Sequence, residues 1–278
     1  MDVYEEIILL RREGRTCALA SIINTVGSIP GSSSAKMLVR EDGSIVGTIG
    51  GGAAELEVIQ IAREVIEREK PQSISFNLTQ RPGIDAGMVC GGSLDIFVEP
   101  IVPSPTLYLF GAGHCGLATF RIARSIGFDV IVVDDREAFA NRERFSDAKG
   151  IIVAELDLAV LQLAPNPASY IISLTPGHLT DMRVLRWALG TEARYIGMMG
   201  SRRKVTGIFQ ELQKEGFQPE SFSRVHAPIG LNIGADNPEE IAISIVAEMV
   251  ACLRRCEAAL ASRRVRIEGE ASGPKKVA

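Results

Sequence analysis

In the first part of the chain, up to residue 102, the spacing of apolar residues mixes helical and strand periods. Val3, Ile7 and Leu10 share one helical face, and a second helix of about fifteen residues opens at the three glycines 50–52. The strands predicted between and after these helices are residues 16–24, 36–39, 45–49, 74–78 and 94–99. This mixture predicts an α+β domain.

From residue 106 onward, apolar strands alternate strictly with amphipathic helices. The predicted strands are residues 106–110, 129–133, 150–153, 170–174 and 195–198, and the predicted helices are residues 114–126, 181–189 and 238–255. Strict alternation of this kind is typical of a parallel sheet with helices on both faces. The fold class predicted is therefore α/β, with a Rossmann-like doubly wound parallel sheet in the C-terminal part and an α+β domain before it.

A proline-dense stretch, residues 100–105, lies where the two patterns meet, so we place the domain boundary there. The predicted domains are residues 1–102 and 103–262. The segment 263–278 is rich in Lys, Gly, Ser and Glu and is predicted to be a disordered tail.

Composition narrows the class of protein. The chain is 46% hydrophobic and 23% charged with a net charge of −4, which indicates a globular protein and gives no general attraction to nucleic acid. No apolar run approaches the roughly 18 residues of a membrane span, and we expect a cytoplasmic protein. The five cysteines form no Cys-x-x-Cys pair and the histidines number three, so neither a disulfide framework nor a structural zinc site is expected.

The strongest chemical signal is the turn Gly111-x-Gly113-His114-x-Gly116. It follows a strand, opens a helix and is succeeded by Asp134 at the end of the next strand, which is the full context of a dinucleotide-binding turn. Gly113 would let the backbone approach a phosphate, and Asp134 could accept hydrogen bonds from ribose hydroxyls. The alternative is a Rossmann domain that binds no ligand at its glycine turn.

Two further junctions between a strand and a helix could hold an anion. The triple glycine Gly50, Gly51 and Gly52, with Glu55, could do so through backbone N–H groups, although a tight packing turn is an equal alternative. The other junction is Gly200-Ser201-Arg202-Arg203-Lys204. Its three cations oppose the helix dipole and favour a phosphate or carboxylate ligand over solvated side chains.

Nucleophile and acid–base candidates are fewer. Cys90 lies in a glycine-rich loop that suits a reactive thiol or a sulfur ligand, but a small buried side chain is equally compatible with the pattern. Cys115 lies on a first helical turn, where the dipole lowers a thiol pKa, although packing is the commoner role there. His178 and Asp181 follow a strand and should face one cleft, unless Asp181 caps its helix. His226 is expected to be structural.

Seven ordered motifs together resemble the XdhC/CoxI family over residues 16–255. They are Gly47-Thr-Ile-Gly-Gly-Gly52 with Glu55, Met88-Val-Cys-Gly-Gly92, Gly111-Ala-Gly-His-Cys-Gly116, Asp134-Asp-Arg136, Thr175-x-Gly-His178-x-x-Asp181, Gly200-Ser-Arg-Arg-Lys204 and Pro228-Ile-Gly-Leu-x-Ile-Gly234. One loop departs from the family pattern, because Ser34 stands where a glycine is expected.

The resemblance implies an accessory protein of xanthine dehydrogenase or a related molybdenum hydroxylase. Such a protein binds molybdenum cofactor, as molybdopterin or its dinucleotide form, supports its sulfuration and passes it to the apo-enzyme. A cysteine desulfurase would then be a second partner, and Cys90 a molybdenum or sulfur contact. A homodimer is compatible with this role.

Two other functions stay open on the residues alone. An NAD(P)-dependent oxidoreductase fits the glycine turn and Asp134, with His178 as acid or base. A nucleotide-sensing module needs only the glycine turn. A Rossmann fold by itself hosts many functions, so the fold does not choose among the three. The resemblance is what favours the accessory role.

Overall fold

The computed structural model describes residues 2–27, 32–77, 92–256 and 258. The chain divides into two compact units, Met1–Pro103 and Ser104–Ala278. Cys90 and the segment 263–278 lie outside the described residues, so the predictions made for them stay predictions. Among the described helices, none is both long and apolar enough to cross a membrane.

The first unit is an antiparallel sheet with one helix against each face. Its elements are α1 (Val3–Glu13), β1 (Cys17–Val26), β2 (Lys36–Arg40), β3 (Ile45–Gly47), α2 (Gly52–Arg68), β4 (Gln72–Asn77) and β5 (Ser93–Ile101). The strand order is β3-β2-β1-β5-β4. Ala18 and Ala20 of β1 pack in the core with α2, whereas Cys17 packs with Leu10 of α1, because successive strand residues face opposite sides.

The second unit is a parallel sheet covered by helices. Its elements are β6 (Thr106–Phe110), α3 (His114–Ser125), β7 (Asp129–Asp134), β8 (Gly150–Val153), α4 (Leu156–Val160), β9 (Ser169–Ser173), α5 (His178–Leu189), β10 (Tyr195–Met198), α6 (Arg202–Lys214), a short 3-10 helix Pro219–Arg224, β11 (Val225–His226) and α7 (Pro238–Leu253). The strand order is β11-β10-β9-β6-β7-β8. Successive strands of the chain are added on one side of β6 up to β8 and on its other side from β9 onward, so the order of addition reverses between β6 and β9. Ligands of open α/β sheets bind at the carboxyl ends of strands beside such a reversal.

Alternate residues of β6 show how the two faces of this sheet are covered. Leu107 and Leu109 pack in the core that includes α3 and α7, and Tyr108 and Phe110 pack in the core that includes α5 and α6. Both faces are therefore buried, as expected for parallel strands that read as continuous apolar runs.

The predicted fold class is confirmed, and the differences lie in short elements. The sequence pattern missed α4, the 3-10 helix and β11, which are too short to show a period. Helix α5 begins at His178, not at Asp181, because Gly177 occupies the cap position. The interpretation of Asp181 as a helix cap was therefore wrong.

Candidate functional site

The glycine turn lies at the carboxyl end of β6, beside the reversal of strand order. Gly111 has a φ of +106°, and a Cβ there would lie 2.5 Å from the carbonyl oxygen of Leu174. A Cβ on Gly116 would lie 2.0 Å from the carbonyl oxygen of Gly111. Since real Cβ atoms do not come so close to backbone, the fold itself requires both glycines.

Gly113 differs from its two neighbours in the motif. Its φ is −66°, which any residue adopts, and a Cβ built on it would meet nothing within 4 Å. Gly113 is the N-cap of α3, and no described side chain caps that helix or places an acid in its first turn. The packing of the unit therefore gives no reason for a glycine here, and no side-chain hydrogen bond caps the start of α3, where His114 is exposed.

Asp134, expected to accept from ribose hydroxyls, is engaged within the protein. Its Oδ2 accepts from the Ala112 N–H at 2.7 Å and from Arg136 Nη2 at 2.8 Å. Its Oδ1 accepts from Arg136 Nε at 2.8 Å and from the Arg136 N–H at 3.0 Å. Each oxygen thus already carries two donors, so Asp134 fastens the glycine turn to the end of β7 and leaves no free acceptor for a ribose.

The hydrogen bonds at Asp134 make the stability of the second unit depend on pH. Burial raises the pKa of this carboxyl, but the Arg136 guanidinium and the N–H groups of Ala112 and Arg136 outweigh it and hold the pKa below its usual range. The stabilisation is therefore present above the unfolded pKa of about 4 and is lost as the pH falls through the folded value. Between about pH 5 and pH 3, the free energy of unfolding should fall less for Asp134→Asn than for the wild type.

Urea denaturation followed by the fluorescence of Trp187, the one tryptophan of the chain, measures this difference in the second unit. Asp129→Asn is the matched control, because Asp129 is a more exposed carboxylate of the same strand. Equal losses for Asp134→Asn and the wild type would contradict the prediction.

The triple glycine of the first unit also holds a carboxylate of the chain itself. Glu55 Oε2 accepts from the N–H groups of Ile49 and Gly51, both at 3.3 Å, and from the Thr48 hydroxyl. Gly51 and Gly52 have φ values of +79° and +73°, which explains their identity by backbone conformation alone. The packing-turn alternative is thus favoured for Gly50, Gly51 and Gly52, since Glu55 takes N–H groups that an external anion was expected to use.

The positive charge of the basic junction, residues 200–204, is likewise partly neutralised by a carboxylate of the protein itself. Ser201 caps α6, accepting from the Lys204 N–H at 3.3 Å. The Lys204 ammonium pairs with the carboxylate of Asp181, which is fully buried. Lys204 also donates to the Met199 carbonyl at 3.2 Å. For Lys204, the anion that compensates the positive charge is therefore Asp181 of the protein itself. Arg202 of the same junction is exposed to solvent.

His178 and Asp181 do not share a cleft, although the sequence suggested that they would. His178 is exposed at the start of α5, whereas Asp181 points inward. Asp181 Oδ1 accepts from the hydroxyls of Ser173 at 2.5 Å and Thr175 at 2.6 Å. Asp181 thus joins β9, α5 and α6, and its role in the described structure is to hold these elements together.

Cys115 and His226 behave as structural residues. Burial, and then the negative charge of Glu239, raise the pKa of the Cys115 thiol, so the predicted lowering by the helix dipole does not prevail. His226 stacks on the ring of Tyr195 with 4.4 Å between ring centroids, and its Nδ1 lies 3.6 Å from the buried Glu248. Among the described residues there is no group of three or more His, Cys, Asp or Glu side chains that could hold a metal ion.

A pocket opens beside the glycine turn at the carboxyl ends of β6, β7, β8 and β9. Its lining includes Gly111, Asp134, Arg136, Glu155, Thr175 and Arg183. The sequence pattern alone did not indicate a role for Arg136. The signal was present, because an arginine two residues after Asp134 can reach back to that carboxylate.

Comparison with known sequences agrees with the Rossmann fold of the second unit. Residues 107–249 match the family described as the XdhC Rossmann domain, and residues 10–77 match the XdhC and CoxI family. The uncharacterized protein YqeB of Escherichia coli (strain K12) is 36% identical over 252 residues, which are 90% of this chain and 46% of YqeB.

Two further relatives carry names that refer to xanthine dehydrogenase and to molybdenum cofactor insertion. A probable xanthine dehydrogenase subunit of Bacillus subtilis (strain 168) is 33% identical over 163 residues, 58% of this chain and 47% of that protein. The molybdenum cofactor insertion chaperone PaoD of Escherichia coli (strain K12) is 24% identical over an alignment that covers 85% of this chain and 83% of PaoD. The chain thus spans about half the length of the first two relatives.

Proposed function

The chain belongs to the XdhC and CoxI family, and on this premise we propose that it is an accessory protein that binds molybdenum cofactor as cargo. The names of two relatives support this role, one as part of a probable xanthine dehydrogenase and the other as a cofactor insertion chaperone. The cofactor brings the molybdenum centre that a hydroxylase needs. The residues of this chain have only to bind it and release it.

The observation that carries the proposal is the unexplained glycine at position 113. The fold requires Gly111 and Gly116 but not Gly113. Because Gly113 has no side chain, the start of α3 carries no capping group there. A phosphate of molybdopterin or of its dinucleotide form fits this position, because N–H groups and the helix dipole favour an anion there. The basic junction, with Ser201, Arg202 and Arg203 after β10, lies at the same edge of the sheet and adds positive charge.

Two glycine-to-alanine variants of the second unit test this role. Gly113→Ala should weaken binding of anaerobically released molybdenum cofactor by about tenfold or more, because the new methyl group occupies the space of the ligand. Gly150→Ala is the matched control, since its Cβ would make only ordinary contacts, 3.6 Å from Ile131. Both variants should unfold at the temperature of the wild type. Unchanged affinity in Gly113→Ala would overturn the assignment of the phosphate to this turn.

We further propose that the protein supports sulfuration of the cofactor and delivers it to apo xanthine dehydrogenase or a related molybdenum hydroxylase. A cysteine desulfurase would supply the sulfur, with Cys90 as a thiolate contact for molybdenum or sulfur, and the carrier would act as a homodimer. Reconstitution of apo-enzyme activity with loaded protein, with and without the desulfurase, tests this sequence of steps. Retention of the cofactor by Cys90→Ala at wild-type affinity would remove the thiolate contact.

The oxidoreductase alternative loses one of its arguments. An NAD-dependent enzyme of this fold uses an acidic residue at the end of the second strand to bind ribose hydroxyls. Here that residue is Asp134, and both of its oxygens are taken by Arg136 and Ala112.

A further inference from the structure

A separate pocket lies in the first unit, where α1 ends beside the turn that joins β2 to β3. It has a volume of about 550 Å³, which is room for a small organic ligand. Its described lining combines one stripe of α1 with the turn, and it includes Glu6, Leu9, Glu13, Glu41 and Asp42. The pocket therefore shares no described residue with the glycine turns or with the basic junction.

Glu6 lines this pocket with a carboxylate that the protein satisfies only in part. Its side chain is 4% exposed, and its Oε1 accepts from Arg40 Nε at 2.6 Å. Its Oε2 is buried and has no hydrogen-bond partner among the described residues. A buried carboxylate oxygen without a donor is costly, and a ligand that donates to it removes that cost. The last torsion of a glutamate is broad, so a small rotation turns Oε2 toward the pocket that the side chain lines.

The pocket also carries more negative than positive charge. Its described lining holds four carboxylate residues and two arginines. One arginine pairs with Glu6, and the other, Arg15, lies 3.7 Å from Glu13. Glu41 and Asp42 are exposed and form no ion pair within the described part of the chain. The pocket lies at the C-terminal end of α1, where the helix dipole likewise favours a cation.

The arrangement suits an organic cation better than a metal ion. In residues 2–27 and 32–77, no three His, Cys, Asp or Glu side chains come together as a metal site. An ammonium group fits Glu6 better than a guanidinium does, because Glu6 has one free oxygen and a guanidinium binds best to two. Leu9, which is 41% exposed, offers an apolar surface for the alkyl stem of such a group.

We propose that this pocket binds a primary alkylammonium ion, with Glu6 as the buried acceptor and with Glu41 and Asp42 as exposed countercharges. Lysine side chains and aliphatic diamines both carry this group. They differ in what stands at the other end of the alkyl stem, which is a peptide backbone in one and a second ammonium in the other. The site is independent of the cofactor-binding role, so either proposal can fail without the other.

NMR titration of the isotope-labelled full chain with n-butylammonium tests the site, with the amide signals of α1 and of residues 40–44 as the readout. n-Butyltrimethylammonium is the matched probe, because it carries the same charge and stem but has no N–H to donate. n-Butylammonium should bind about fivefold more tightly or better, and the shifted signals should cluster at the pocket. Equal affinities for the two ions would indicate screening of surface charge alone and would overturn the proposal.

Two variants locate the ligand. Glu6→Gln keeps the shape of the side chain but replaces the free oxygen with an N–H donor, so n-butylammonium should bind about tenfold more weakly. Glu41→Gln removes an exposed charge and should weaken binding about threefold at an unchanged melting temperature, which covers the case in which Glu6→Gln unfolds the unit. Glu64→Gln is the control, because Glu64 is an exposed carboxylate of α2 that is not in the described lining of the pocket. Unchanged affinity in Glu41→Gln and in a folded Glu6→Gln protein would refute the site.

Further ligands distinguish the sources of the ammonium group. Binding of Nα-acetyl-lysine methylamide as tightly as n-butylammonium would support a lysine of a protein partner, since the pocket then accommodates a peptide backbone. Binding of cadaverine about tenfold more tightly than n-butylammonium would support a diamine, because its second ammonium meets the remaining carboxylates. If Ca²⁺ shifts the same signals at lower concentrations than n-butylammonium, the pocket is a metal site and the proposal is wrong.

Discussion

Replacing Lys204 with methionine should lower the free energy of unfolding of the second unit by about 3 kcal/mol, because it strands the buried carboxylate of Asp181 without its counter-ion. Asp181 is fully buried, and its other donors are the hydroxyls of Ser173 and Thr175 and the Thr175 N–H. These hydrogen bonds place the loss at the lower end of the range for a broken buried pair. Urea denaturation followed by Trp187 fluorescence gives the change directly.

A double-mutant cycle separates this pair from simple packing. Asp181→Asn in the Lys204→Met background should recover part of the loss, since a neutral amide is less costly to bury than an unpaired carboxylate. Arg203→Met is the control for loss of a cation from the same helical turn, and it should change stability by less than about 0.5 kcal/mol because Arg203 is exposed. A loss below about 1 kcal/mol in Lys204→Met would show that the ion pair does not hold β9, α5 and α6 together.

Gly116→Ala should destabilise the second unit by about 3 kcal/mol or more, because its Cβ would lie 2.0 Å from the carbonyl oxygen of Gly111. This oxygen belongs to the backbone, so relief requires α3 to move away from the end of β6. For a unit of this size, such a loss corresponds to a fall in melting temperature of roughly 10 °C. Thermal unfolding followed by Trp187 fluorescence measures it.

Gly113→Ala is the internal comparison for this prediction. It lies in the same turn, has open space at its Cβ position and should melt within about 1 °C of the wild type. Equal melting temperatures for the two alanine variants would contradict the division of the motif into glycines needed by the fold and a glycine needed by the ligand.

Much of the second unit could be predicted from local sequence. The strands Thr106–Phe110, Gly150–Val153 and Tyr195–Met198 match their predicted bounds, because each is a short apolar run bounded by turn or polar residues. The elements that were missed, such as Val225–His226, depend on pairing with a neighbour. That two-residue strand exists because it pairs with β10, and no period in its own residues indicates it.

The anion sites show where local sequence stops being sufficient. Each of the three junctions was predicted to interact with negative charge, and each has a carboxylate of the chain beside it: Glu55, Asp134 and Asp181. Lys204 and Asp181 are 23 positions apart and meet only because β9 and β10 are neighbours in the sheet. Sequence spacing identifies the donors, but only the fold shows which of them the protein satisfies itself.

The measurement that tests the cofactor-carrier role most directly is equilibrium binding of the purified chain to anaerobically released molybdenum cofactor, with NAD and NADH titrated under the same conditions. We expect tight binding of the cofactor and weak or undetectable binding of either nicotinamide nucleotide, since Asp134 is not available to the ribose. Tight NAD binding without retention of the cofactor would contradict the carrier role and support a dehydrogenase.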